Sequence, residues 1–94
     1  MALFIEVTME PDGLWHAHAP TMPEAQGQGQ SPAEARDLAR IAAAQILADG
    51  AEVTERDGWF FVHNTDLDMS NQGETLEEAK EALKGSLFWY LSGD

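Results

Sequence analysis

His16 and His18 stand two residues apart, and His63 is the only other imidazole in the chain. On an extended strand that spacing puts two rings on one face. With His63 they could compose a three-histidine metal site of the zinc type. The competing reading is half-exposed strand histidines beside Trp15 and Trp59. Asp66, Asp68 and Ser70, followed by Glu77, faintly copy a calcium loop. Asn71 holds the place where that loop needs Gly, however, and strand rather than helix precedes it. Asp66 reads better as a turn residue that bonds its own backbone. Paired carboxylates raise the acid chemistry of ribonuclease H or a glycosidase, but here they fall at caps, turns and outer strand faces. The chain has no cysteine, so no thiolate nucleophile and no disulfide. It has no nucleophile elbow and no Gly-rich phosphate loop. The expectation is a non-enzymatic protein without metal or cofactor.

Charge is the loudest bulk signal. Seventeen acids face five Lys and Arg, a net charge of −12 over 94 residues, and no Lys or Arg precedes Arg36. Binding to nucleic acid or to an anionic membrane needs cations, so both are disfavoured. Acidity favours solubility, or a basic protein partner steered in by the field. No apolar run is long enough to span a membrane, and the start has no basic n-region of a signal peptide. The expectation is a cytoplasmic protein.

Positioning falls to strands and helices of plain pattern. Leu3, Ile5, Val7 and Met9 alternate with Glu6, Thr8 and Glu10, the period of a half-buried strand. Pro11-Asp12-Gly13 is a hairpin turn, Leu14 to Ala19 returns, and Pro20 and Pro23 break the strand. Ala25 to Gln30 reads as a short edge strand. Ser31, Pro32 and Glu34 open a helix running to about Ala48, with an apolar stripe of Ala35, Leu38, Ala39, Ala42 and Ile46 and with Gly50 as C-terminal cap. The order then recurs. Ala51 to Arg56 and Trp59 to His63 flank the Asp57-Gly58 turn, the latter apolar on both faces and hence central. Thr65 to Asp68 interrupts, Met69 to Gln72 is a third strand, and Thr75 with Glu78 forms a capping box for a helix to about Leu91.

Asp12-Gly13 matches Asp57-Gly58, and His18 matches His63, at an offset of 45. The caps match at 44, as do Ala35 and Ala79, Arg36 and Lys80, Arg40 and Lys84, and Leu47 and Leu91. Repetition of turn, cap and cations in register points to duplication. Residues 1–94 are read as one α+β domain of two βββα repeats, 1–50 and 51–94. They form one or two antiparallel sheets with two helices packed on a face. If His18 and His63 are related by a pseudo-two-fold, they meet at its axis, and their protonation would loosen the centre. Glu77 with Lys80 and Glu81 with Lys84 are expected as helix ion pairs. Leu87-Phe88-Trp89-Tyr90-Leu91 goes right round a helix end. One face can enter the core, and Phe88, Trp89 and Tyr90 are candidates for self-association as a homodimer.

The second repeat, through Asp57-Gly58-Trp59-Phe60-Phe61-Val62, Asp66-Leu67, Gln72 to Ala79 and Ala82-Leu83, resembles the HicB family of antitoxins and its stand-alone relatives. The first repeat carries the likeness more loosely, through Asp12-Gly13, Pro20 to Pro23 and Gly29 to Ala35. The resemblance implies a partial ribonuclease-H-like α+β fold without nuclease chemistry, oligomerisation, and blockade of a small basic HicA ribonuclease toxin. The chain departs by holding two such units in tandem. It also lacks a ribbon-helix-helix or helix-turn-helix pattern after the second helix, which puts promoter autoregulation in doubt. The expected partner surface is the outward acids Glu6, Glu10, Asp12, Asp57, Asp66 and Asp68. An alternative on the same charge is a phage-type mimic of nucleic acid that occupies a basic groove, as an anti-CRISPR or anti-restriction inhibitor would. A third is an unpaired HicB-like domain with a housekeeping or ligand-binding role.

Overall fold

The computed structural model describes residues 3–92; the two outermost residues at each end of the chain lie outside it. The order is β1 (Glu6–Met9), β2 (Trp15–Ala19), β3 (Met22–Gly29), α1 (Pro32–Asp49), β4 (Glu52–Arg56), β5 (Trp59–Asn64), β6 (Met69–Gly73) and α2 (Leu76–Leu91). It is an α+β fold of duplicated βββα units. The strands form two separate three-stranded antiparallel sheets, β1-β2-β3 and β4-β5-β6, rather than one wide sheet.

The registers carry the duplication into three dimensions. Ala17 stands opposite Gly27 and Val62 opposite Asn71, while Trp15 pairs with Gly29 and Phe60 with Gly73. The central strands therefore correspond at an offset of 45 and the third strands at 44. The residue is lost at the connection between them. In the first unit a tight turn at Pro20-Thr21 is followed by a register shift beyond His18, which leaves Pro23 inside β3 rather than ending it. In the second, four residues bridge Asn64 and Met69, and the register stays regular. Proline is tolerated at an edge-strand irregularity because no ladder bond is asked of it. The first hairpins differ too. Asp57 and Gly58 take φ of 54° and 83°, the two-residue primed turn whose twist suits paired strands. The Pro11-Asp12-Gly13 turn is one residue longer and puts only Gly13 at positive φ, 89°.

Both helices start in the same way. The Glu34 N–H donates to Ser31 Oγ at 3.1 Å and the Glu78 N–H to Thr75 Oγ1 at 3.1 Å. The return arm of each box differs from expectation. Glu34 accepts from the N–H of Gln30, and Glu78 from that of Glu74, one residue before the cap. The C-terminal cap at Gly50 has φ −87°, so it does not use glycine's left-handed freedom.

The core is built from small side chains on α1 and large ones on α2. Ala43, Ala44 and Ala48 of α1 meet Ala79, Leu83, Leu87 and Leu91 of α2, with Ala19, Ala25 and Val62 from the sheets. A second cluster lies under the outer half of α1, where Ala17, Ala35 and Ala39 pack with Ile5, Val7 and Trp15. The buried stripe of α1 is thus alanine. Leu38 and Ile46, expected inside, are exposed, as is Met9. The alanines let β3 press on the helix. A Cβ on Gly27 would lie 2.5 Å from the Ala35 carbonyl oxygen and 2.6 Å from the Ala39 nitrogen. Only glycine permits that approach.

Each half completes the other's helix end. The last carbonyls of a helix lack partners within it. The Leu3 N–H from the first unit donates to the Leu91 carbonyl at 3.1 Å. The buried Asn64 side chain from the second donates to the carbonyl of Leu47 at 3.4 Å. Leu47 and Leu91 are repeat mates, so the exchange is reciprocal. The molecule measures 53 × 21 × 21 Å with a radius of gyration of 14.8 Å. A compact chain of this length would have about 12 Å, so the two units sit in a row.

Candidate functional site

The outer face of the first sheet, turned from its helix, is polar along its length, and that of the second mixes polar with aromatic side chains. In the first, Glu6 and Thr8 of β1 stand opposite His18 and His16, which face Gln26 and Gln28 of β3. In the second, Glu52 stands opposite His63, Thr54 opposite Phe61, and Arg56 opposite the exposed Trp59. The Arg56 guanidinium lies 5.3 Å from the centre of the Phe61 ring, so the one cation on this face is engaged with an aromatic.

The histidines do not converge. His18 lies 3.6 Å from Glu6, and His63 lies 3.4 Å from Asp68, each within its own sheet. His16 is tied to Gln26 at 3.2 Å, and its ring stacks on His18 with centroids 6.2 Å apart. The expected meeting of His18 and His63 at the axis does not occur, because the sheets are separate and the centre is filled by the two helices. Among the described residues, no group of three or more His, Asp or Glu is placed to hold a metal ion.

The acids singled out from the sequence fall in four places. Glu6 is on the outer face of β1. Glu10 and Asp12 share the β1–β2 turn, where Asp12 Oδ1 accepts from the Leu14 N–H at 3.0 Å. Asp57 is at the β4–β5 turn. Asp66 and Asp68 share the β5–β6 turn, where Asp68 takes a positive φ of 53°. That turn is not organised by Asp66 as expected: Asn64 Oδ1 accepts the Leu67 N–H at 2.9 Å. The structure brings together Glu10 with Asp12, and Asp66 with Asp68. It keeps Asp57 from the latter by the six residues of β5, about 20 Å of strand. Glu24, Glu52, Glu55 and Glu74 are further exposed acids of the strands and turns that had not been singled out.

What joins these places is the way charge divides between layers. The two helices hold six of the seventeen acids but four of the five Lys and Arg. Among the described residues the remaining ten acids share the strands and turns with Arg56 alone. Among the described residues the one Lys or Arg ion pair is Arg40 with Asp37, at 3.0 Å. The expected pairs of Glu77 with Lys80 and Glu81 with Lys84 are not made within 4.0 Å. The anionic surface is therefore not neutralised by its own chain.

The C-terminal aromatic run splits by helical geometry. Leu87 and Leu91 are buried, Phe88 and Tyr90 are half-buried, and Trp89 is 69% exposed. The Phe88 and Trp89 rings meet edge to face, with centroids 5.7 Å apart. No helix among the described residues is long and apolar enough to cross a membrane. No protein-family model, curated protein or solved structure matches the chain.

Proposed function

We propose that this protein is a non-enzymatic binding module whose strand-and-turn layer presents carboxylates without Lys or Arg partners to a basic macromolecule. The observation that carries the reading is the segregation of charge: among the described residues, ten acids against one cation outside the helices, with the compensating cations kept on the helices. Unpaired surface acids cost folding free energy by mutual repulsion. A partner bearing Lys and Arg relieves that cost and gains on-rate by steering. With the HicB resemblance, the partner is a small basic ribonuclease of the HicA kind, covered on its RNA-binding face. Glu6, Glu10, Asp12, Asp57, Asp66 and Asp68 make the contact. The assay is cleavage of a labelled RNA by a purified HicA-family ribonuclease with and without the protein. Stoichiometric inhibition, lost at high salt, is expected; undiminished cleavage at excess protein contradicts the antitoxin role.

The long, narrow form favours a second reading, mimicry of nucleic acid. Magnitudes narrow it. A duplex 53 Å long would carry about 30 phosphate charges and one of its strands about 16. A net of −12 lies nearer the single strand. On this reading the protein competes with single-stranded guide or target nucleic acid for a basic channel. Competition against a labelled single strand and against a labelled duplex, each bound to a CRISPR or restriction complex, separates the two forms of mimicry.

A further inference from the structure

A groove of about 260 Å³ opens where the helices cross, lined by Ile41, Ala44, Glu81, Lys84, Gly85, Phe88 and Trp89. Its position is set by the duplication. Ile41 and Ala44 of α1 are the repeat mates of Gly85 and Phe88 of α2 at the offset of 44, so the groove lies on the local pseudo-two-fold. Its two sides differ. On α1 the polar neighbours bond within the helix: Arg40 Nη1 donates to Asp37 at 3.0 Å and Gln45 to Asp49 at 2.9 Å. On α2 the mates of Asp37, Arg40 and Gln45 are Glu81, Lys84 and the exposed Trp89. Where α1 has Ile41, α2 has Gly85, and a Cβ added there would meet nothing within 4 Å. The result is an indole standing at the rim of an apolar hollow, with one acid and one base beside it.

We infer that a second copy of this chain docks on the α1–α2 groove by a two-fold, each Trp89 entering the hollow over the other's Gly85. Knob and hole on one patch make that patch self-complementary, as an isologous interface requires. Charge selects this face over all others. The sheets and turns repel their own copies, whereas the two helices together carry a net of only −2 of the total −12. Exposed Ile41 and Leu38 extend the apolar area along α1. This dimer is independent of the basic partner, because it uses the helix layer and leaves both outer sheet faces open.

Sedimentation across about 1–100 μM tests it. The wild type is expected to pass from monomer to dimer mass in that range, and Trp89→Glu to stay monomeric. Gly85→Leu guards against loss of fold, since it fills the hollow while raising helix propensity. It should melt no lower than wild type, yet weaken the dimer at least about tenfold. A wild type that stays monomeric at the highest concentration overturns the inference. So does a dimer unchanged in both Trp89→Glu and Gly85→Leu, which would place the contact elsewhere. Neither result bears on inhibition of a ribonuclease.

Discussion

Two glycines with opposite surroundings give the sharpest test at the scale of the residue. At Gly27 an added methyl would drive into the α1 backbone. Gly27→Ala should cost about 1–3 kcal/mol, because backbone cannot move aside as a side chain can. At Gly85 the same methyl meets open space, and Gly85→Ala should stabilise by up to about 1 kcal/mol through helix propensity. Thermal melts of the pair should move in opposite directions, at about 4–8 °C per kcal/mol for a domain of this size. No fall for Gly27→Ala would mean that the α1–β3 approach is not as close as described, and a fall for Gly85→Ala that its surroundings are not open. Asn64 is the other informative residue. It serves two backbone groups at once, the Leu47 carbonyl and the Leu67 N–H. Asn64→Leu strands both, and a loss of about 1–3 kcal/mol is expected in chemical denaturation. Neither role was legible in the sequence. The sequence pattern assigns Asn64 to neither strand nor turn, and its helix-end partner lies 17 positions away.

Elements were the most legible scale. Periodicity and caps place all eight strands and helices, because local backbone chemistry writes those signals into adjacent residues. The cap hydroxyls of Ser31 and Thr75 bond as the sequence predicts. Ser31→Ala and Thr75→Ala should each cost about 1 kcal/mol, measurable as matched shifts in melting temperature. What propensity does not carry is which stripe of a helix finds a partner. Hydrophobicity favoured Leu38 and Ile46, but contact with glycine-bearing strands and with α2 demands small side chains, and alanines won. Pro23 misled for a related reason. It ends a regular strand but fits an edge strand where the register shifts. The candidate acids were legible as exposed strand and turn positions. Their grouping was not, since it depends on turn lengths that differ between the repeats.

At the scale of the whole molecule, duplication explains the arrangement, and charge divides between its layers. Two units in a row exchange helix-end bonds, bury their helices' C-terminal halves together and leave both sheets facing outward. The division of charge between layers could be counted from the sequence only once helix limits were fixed. The separation into two sheets could not, since either topology satisfies the same strand patterns. A body of net charge −12 repels itself, so melting temperature should rise from low to high salt as screening grows. A flat salt dependence would show the carboxylates to be compensated. The decisive measurement is retention of protein from a lysate of the source cell at low and then high salt. It compares wild type with a variant carrying Glu6→Gln, Glu10→Gln, Asp12→Asn, Asp57→Asn, Asp66→Asn and Asp68→Asn. A basic protein held by the wild type, released by salt and not held by the variant is the predicted result. The same proteins held by both, or none held by the wild type at low salt, would contradict an anionic docking surface.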